Sequence, residues 1–343
     1  MTVHGIRRGK EPWGSFAPLR ISELSTERVD DMTNRLDRIQ GGFWGLLVGD
    51  ALGVPYEFNG PEVLPPTEEI EFIPPEGFWR TYPSIPPGTW SDDGAQALAL
   101  LDSLLAKDKM DAEDFAGRLL RWYEEGLWAV DGHVFDVGIQ TAESLQAFRS
   151  GTPAEKAGWV RPDGKGNGSL MRVLPLALWH RGTDEELVAD AHLQSVVTHA
   201  HPTNQACCAL YCLWARRILE GMKTEEAYGE SVNRLRSIYR GHREHLRELE
   251  ETVRPDEEPV SQGGGYVVET LNSVRLAMRE YSYEGVVKAA IRLGEDTDTN
   301  AAIAGGLAGI RDGASSIPKR WLGQLRGKEQ ARQLLNQLLE RVD

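Results

Sequence analysis

Two short stretches concentrate carboxylates just where helical patterns begin. Ser91-Asp92-Asp93 precedes a run rich in Ala and Leu, and Asp296-Thr297-Asp298-Thr299 precedes a second run of small residues. One acid at a helix mouth is an ordinary cap, favoured by the macrodipole by about 0.3 to 1 kcal/mol. Adjacent carboxylates at one mouth and an Asp-x-Asp pair at another repel each other unless a cation compensates. Oxygen donors, with a hydroxyl beside each acidic pair and no cysteine or clustered histidine, select a hard cation such as Mg²⁺ or Mn²⁺ over Zn²⁺. Two such half-sites facing each other would hold two ions. His199 and His201 are two residues apart, which fits neither the helical nor the finger spacing of zinc sites. Singly, each reads as a satisfied buried group or a cap.

Two further segments are irregular. Asp163-Gly164-Lys165-Gly166-Asn167-Gly168-Ser169 alternates glycine, which lets backbone N–H groups approach an anion, although a plain turn explains it equally well. It is neither a P-loop nor a dinucleotide fingerprint. Phe135-Asp136-Val137-Gly138 says little by itself, and a helix cap accounts for Asp136.

Helices must position these groups. From Thr26, Val29, Met32, Leu36 and Ile39 recur at helical spacing and lead into Gly41, Gly45, Gly49 and Gly53, a small-residue face that lets another helix come close. Residues 61–89 are dense in proline and read as a long ordered loop bordering a site. The spacing predicts helices over 93–107, 203–220, 271–281, 283–293 and 328–342, a cap at Asp111 and a capping box at Thr183 with Glu186. The charge-dense run 240–258 reads as a solvated helix. Strand-like alternation is nearly absent, so the expectation is one all-α domain over 36–343 behind an N-terminal arm at 1–35.

The chain has 343 residues with 52 acids against 38 bases, a formal charge of -14. Such an excess does not make a surface that attracts a phosphate backbone or an anionic bilayer, so nucleic acid and membrane partners are not expected. Cys207, Cys208 and Cys212 are too close in sequence to form a spaced disulfide framework, which suits a reducing cytoplasm. No apolar stretch approaches a membrane span, and the start lacks the apolar core of a secretion signal. The first twenty residues of the arm are basic, with Arg7, Arg8, Lys10 and Arg20 against Glu11, and carry Trp13 and Phe16.

Taken in order, these motifs resemble the ADP-ribosylglycohydrolase family. They are Gly49-Asp50-Ala51-Leu52-Gly53 with Glu57, Ser91-Asp92-Asp93, Phe135-Asp136-Val137-Gly138, Gly166-Asn167-Gly168-Ser169-Leu170-Met171-Arg172, Thr198-His199-Ala200-His201-Pro202 and Asp296-Thr297-Asp298-Thr299-Asn300. The resemblance implies an all-α fold with a dinuclear Mg²⁺ or Mn²⁺ centre held by Ser91, Asp92, Asp93, Asp296, Asp298 and Thr299. It implies hydrolysis of the bond from C1″ of ADP-ribose to a protein side chain, with Glu57 and Asp298 nearest the chemistry and the base undecided between them. Gly166, Asn167, Gly168 and Ser169 would cradle the diphosphate and nearby ribose, His199 would line the cleft, and Asp136 would face the sugar or a modified guanidinium. The cysteines would be core residues of a helix.

The family's usual Thr-Asp-Asp-Thr reads Ser91-Asp92-Asp93-Gly94 here, which suggests a less firmly oriented site. The Gly-Asp-Ala-Leu-Gly form and the Asp136 motif tilt the linkage toward arginine. Serine-linked or small-molecule ADP-ribose, or binding without cleavage, stay open. A basic, aromatic arm could also plug the acidic cleft of an ADP-ribosyltransferase toxin, giving the chain an immunity role.

Overall fold

The computed structural model describes the backbone of residues 1–2 and 21–342, with side chains at 1–2 and 34–341. The glycine-spaced segment is the C-terminal half of α1 (Ile21–Gly53), which runs unbroken past residue 35. The part of the expected arm at 3–20 lies outside the described residues.

Local signals set most helix ends. α2 (Asp92–Lys107) opens on Ser91, whose hydroxyl accepts the Asp93 N–H at 3.3 Å, and α3 (Ala112–Glu125) opens on Asp111 and stops at Gly126, φ 75°. α4 (Ile139–Arg149) and α5 (Leu174–Trp179) follow, and the Thr183–Glu186 capping box starts α6 (Asp184–Val196). His201 caps α7 (Pro202–Leu219), whose buried positions include Cys207, Cys208 and Cys212, and α8 (Thr224–Ile238) packs beside it.

The charge-dense run is not one solvated helix. It forms α9 (Arg243–Arg247) and then a π-helical turn over Glu248–Val253 that buries Leu249 and Val253 against α7. Burying these two apolar side chains outweighs the regular hydrogen-bond register. The chain closes with α10 (Val267–Ala277), α11 (Tyr283–Ile291), α12 (Thr297–Asp312), α13 (Lys319–Gln324) and α14 (Lys328–Val342). The described residues contain no strand, only isolated bridges from Trp159 to His199 and from Gly166 to Tyr266. No described helix is long and apolar enough to cross a membrane.

The molecule is organised around α1 and α12, which lie antiparallel. Gly41, Gly45, Gly49 and Gly53 meet Gly309, Gly305, Ala301 and Asp298 in turn. A methyl group on Gly45 would stand 2.4 Å from the Gly305 carbonyl oxygen, so a side chain there would force the helices apart. Tyr211 of α7 and Tyr283 of α11 tie this seam to its neighbours, donating to the carbonyls of Ile303 and Gly45 at 2.9 Å each. The loop at 61–89 is ordered, with a single 3₁₀ turn at Thr67–Glu69 and the Tyr56 hydroxyl donating to the Glu71 carbonyl at 2.7 Å. The C-terminal end of α1 and the N-terminal ends of α2, α7 and α12 therefore meet at one end of the bundle.

Candidate active site

Backbone pairing between loops fixes this end. The Phe58 N–H donates to the Glu295 carbonyl at 2.7 Å and the Glu295 N–H to that of Asn59 at 2.9 Å, so the chain leaving α1 is pinned to the chain entering α12. Asp296 is held through its N–H on Gly263, and Asn167 through its N–H on Gly265, both at 3.0 Å. At the α2 mouth the clamp is Asp50 of α1, wholly buried. Its carboxylate accepts the Ser91 N–H at 2.8 Å and the Gly94 N–H at 2.7 Å.

The two expected half-sites face each other. The Thr299 hydroxyl donates to Asp93 Oδ2 at 3.3 Å, and Thr299 N–H to Asp298 Oδ1 at 2.8 Å. Asp296 Oδ2 accepts the Asn167 amide at 2.7 Å, and Asp92 Oδ2 the Gln96 amide at 2.9 Å. Oxygens of Glu57, Asp136 and Asp298 lie within 4.8 Å of one another, a grouping fit to hold a metal ion. Asp298 is thus the one member of the expected ligand set in this triple, and Asp136 stands among the acids as well as beside the cleft. Glu57 Oε2, Asp93 Oδ1 and Asp298 Oδ2 are buried without any hydrogen-bond partner. Unpartnered hard oxygens of this kind are what divalent ions bind.

The electrostatics agree. Burial raises the carboxyls of Asp92, Asp93 and Asp298 well above their ordinary 3.8, and repulsion from neighbouring aspartates raises them further. Burial also raises Asp296 against the pull of the Asn167 amide, and burial with repulsion from Asp298 and Asp136 raises Glu57. Asp50 is pushed up to about 7 by burial, although two N–H groups pull it back. Without a compensating cation burial and mutual repulsion favour the protonated forms of these groups; a cation favours the ionised ones.

The cleft above them has a volume of about 510 Å³, in the range of small-molecule sites. Its lining includes Glu57, Asp92, Asp93, Asp136, Gly166, Asn167, Gly168, His199, Asp296 and Thr299. Of the other expected site residues, Ser91 and Asp298 lie beneath this surface. Ser169 also points inward, its hydroxyl accepting from Ser195 at 2.9 Å. Burial and the Arg172 charge lower the pKa of His199 well below its ordinary value, so the ring is neutral.

Several participants are not evident from sequence. The Tyr82 hydroxyl, in the proline-rich loop, donates to Asp136 Oδ1 at 2.6 Å, and Asp136 adopts a left-handed backbone, φ 54°. No helix cap is made by Asp136. Arg161 stacks on Trp159, 3.4 Å from the ring centroid, on the cleft wall. Phe58 and Ile139 stand exposed at the mouth. Asp50 had a signal, a lone acid within the glycine-spaced stretch, but its partner at the α2 mouth is 41 residues away.

A family model for ADP-ribosylglycohydrolase matches residues 31–343. The ADP-ribosylarginine hydrolase Tri1 of Serratia proteamaculans (strain 568) is 28% identical over 335 residues, covering 97% of this chain and 84% of that protein. The ADP-ribosyl-[dinitrogen reductase] glycohydrolase of Rhodospirillum rubrum is 30% identical over 295 residues, covering 84% and 90% respectively. A solved ADP-ribosylglycohydrolase-related protein complex aligns with a TM-score of 0.70 at 31% identity, over 91% of this chain and 100% of that one. With its motifs gathered at one cleft and the match running almost its full length, the chain belongs to the ADP-ribosylglycohydrolase family.

Proposed function

We propose that the protein hydrolyses the N-glycosidic bond between ADP-ribose and arginine side chains of modified proteins, with two divalent ions, Mg²⁺ or Mn²⁺, as cofactors. The observation that carries this reading is the set of buried carboxylates around one cleft, with unpartnered oxygens on Glu57, Asp93 and Asp298. Ser91, Asp92, Asp93, Asp296, Asp298 and Thr299 would hold the ions. Such ions supply positive charge that orients ribose hydroxyls and acidifies water. Gly166, Gly168 and His199 offer donors to the diphosphate and its ribose, while Asn167, whose N–H groups are taken by Gly265, Thr270 and Asp296, shapes the loop with Ser169 beneath it.

Cleavage at C1″ passes through an oxocarbenium-like state, which carboxylates near the sugar stabilise. Glu57 and Asp298 stand closest to that role, and one of the two takes the proton from water as it adds to C1″, while the guanidine departs. Asp136, held by Tyr82, pairs with the guanidinium, whose planar donors suit a carboxylate. A module that only bound ADP-ribose would gain nothing from burying unpartnered Glu57. Arginine is favoured because a relative named as an ADP-ribosylarginine hydrolase aligns over 97% of this chain at 28% identity. The test is release of free ADP-ribose from arginine- and serine-linked proteins, with metal and with chelator.

The basic arm supports a second role, docking on an ADP-ribosyltransferase toxin as an immunity protein. Deleting residues 1–20 should weaken toxin binding and spare hydrolysis; loss of both together would contradict separate roles.

A further inference from the structure

Arg172 is fully buried, yet it meets no carboxylate directly. Its guanidinium is fixed by four acceptors instead. Nε donates to Gln194 Oε1 at 3.2 Å, Nη1 to Gln96 Oε1 at 2.8 Å, and Nη2 to the Gln194 carbonyl at 3.1 Å and to Thr198 Oγ1 at 2.8 Å. Phe115 covers its face, 5.0 Å from the ring centroid. A guanidinium only donates, so Thr198 must accept from it. Thr198 is itself fully buried, and its oxygen lies 2.7 Å from His199 Nδ1.

If Nδ1 carried a hydrogen and donated to Thr198, the threonine hydrogen would be left unpaired in the interior, at a cost of about 1–3 kcal/mol. Pairing every group requires the opposite arrangement, with Thr198 donating to Nδ1. The hydrogen of the neutral ring then sits on Nε2. That nitrogen faces the glycine loop at the cleft, about where side chains on Gly166 and Gly168 would stand, at 3.6 and 3.1 Å.

We propose that Arg172 is a positioning residue that acts through Thr198 to hold the His199 hydrogen on Nε2, so that the ring presents an N–H donor to a phosphate oxygen of the ligand. The ligand half of this rests on the ADP-ribose reading above. Gln96 gives the same guanidinium a second line, to Asp92.

Nitrogen NMR of the full chain labelled at histidine reads the tautomer directly, and calorimetry with ADP-ribose reads the donor. His199 is expected as a single Nε2–H form. Thr198→Val should mix or reverse the tautomer and weaken ADP-ribose about threefold to tenfold, the scale of one hydrogen bond. Thr198→Ser should restore both. Arg172→Lys, which cannot span the four acceptors, should disturb the tautomer in the same direction; if it does not fold, the Thr198 pair decides. A wild-type ring with its hydrogen on Nδ1, or equal tautomers and affinities in the Val and Ser variants, overturns the proposal. Absence of any ADP-ribose binding by the wild type overturns the functional reading instead, while the NMR still locates the hydrogen.

Discussion

At the scale of residues, the proposed activity rests on carboxylates that are costly to bury unless cations compensate them. Asp92→Asn or Asp298→Asn should lower release of ADP-ribose by about a hundredfold or more, measured under saturating metal, because each removes one charged donor while keeping its shape. Full activity in either would remove that residue from the centre. Gly94 is the place where the family pattern is broken, and the structure gives a reason specific to this chain. A methyl group there would stand 2.9 Å from Asp50 Oδ2, from Leu47 Cδ2 and from Trp90 Cγ, while the Gly94 N–H already binds Asp50. The clamp on Asp50 is made by the backbone alone, and the packing around it is too tight for a side chain. An exposed helical glycine gains about 1 kcal/mol on change to alanine. Gly94→Ala should instead cost about 1–3 kcal/mol in denaturant unfolding, through crowding of the clamp.

At the scale of elements, the α1–α12 seam brings Asp50 and Glu57 to Asp298. Gly45→Ala would place a methyl group 2.4 Å from a backbone oxygen and should both destabilise the fold, by about 2 kcal/mol, and reduce activity. Gly117→Ala on α3, where nothing lies within 4 Å, should add about 0.5–1 kcal/mol and leave activity unchanged. This seam was legible in sequence because glycine at every fourth position has few other uses in a helix. So were the acidic helix mouths, since like charges side by side need a partner. The links from Tyr82 to Asp136 and from Arg172 through Gln96 and Thr198 were not legible. They join segments 54, 76 and 26 positions apart by side chains whose types are individually ordinary. The π turn escaped for a related reason: local charge spoke for a solvated helix, and only packing against α7 reverses that.

For the whole molecule, the net charge of -14 describes the surface, whereas the site depends on locally compensated charge. The metal-free fold should show this in its pH dependence. Asp50 rises from an ordinary 3.8 to about 7 in the folded state, and its neighbours are raised in the same direction. The folded chain therefore binds more protons than the unfolded one, so this contribution is present at low pH and is lost as pH rises toward and through about 7. Thermal unfolding in chelator should occur at a lower temperature near pH 8 than near pH 5.5, and added Mg²⁺ or Mn²⁺ should raise it most near pH 8. A metal effect independent of pH would contradict this linkage. The central claim, metal-dependent removal of ADP-ribose from arginine, is tested most directly by incubating arginine- and serine-linked ADP-ribosylated proteins with the full chain and measuring free ADP-ribose. Release from the arginine linkage with Mg²⁺ or Mn²⁺, abolished by chelator and by Asp92→Asn and much slower from serine, is the expected result. Tight binding without release, or release that chelator leaves unchanged, would contradict it.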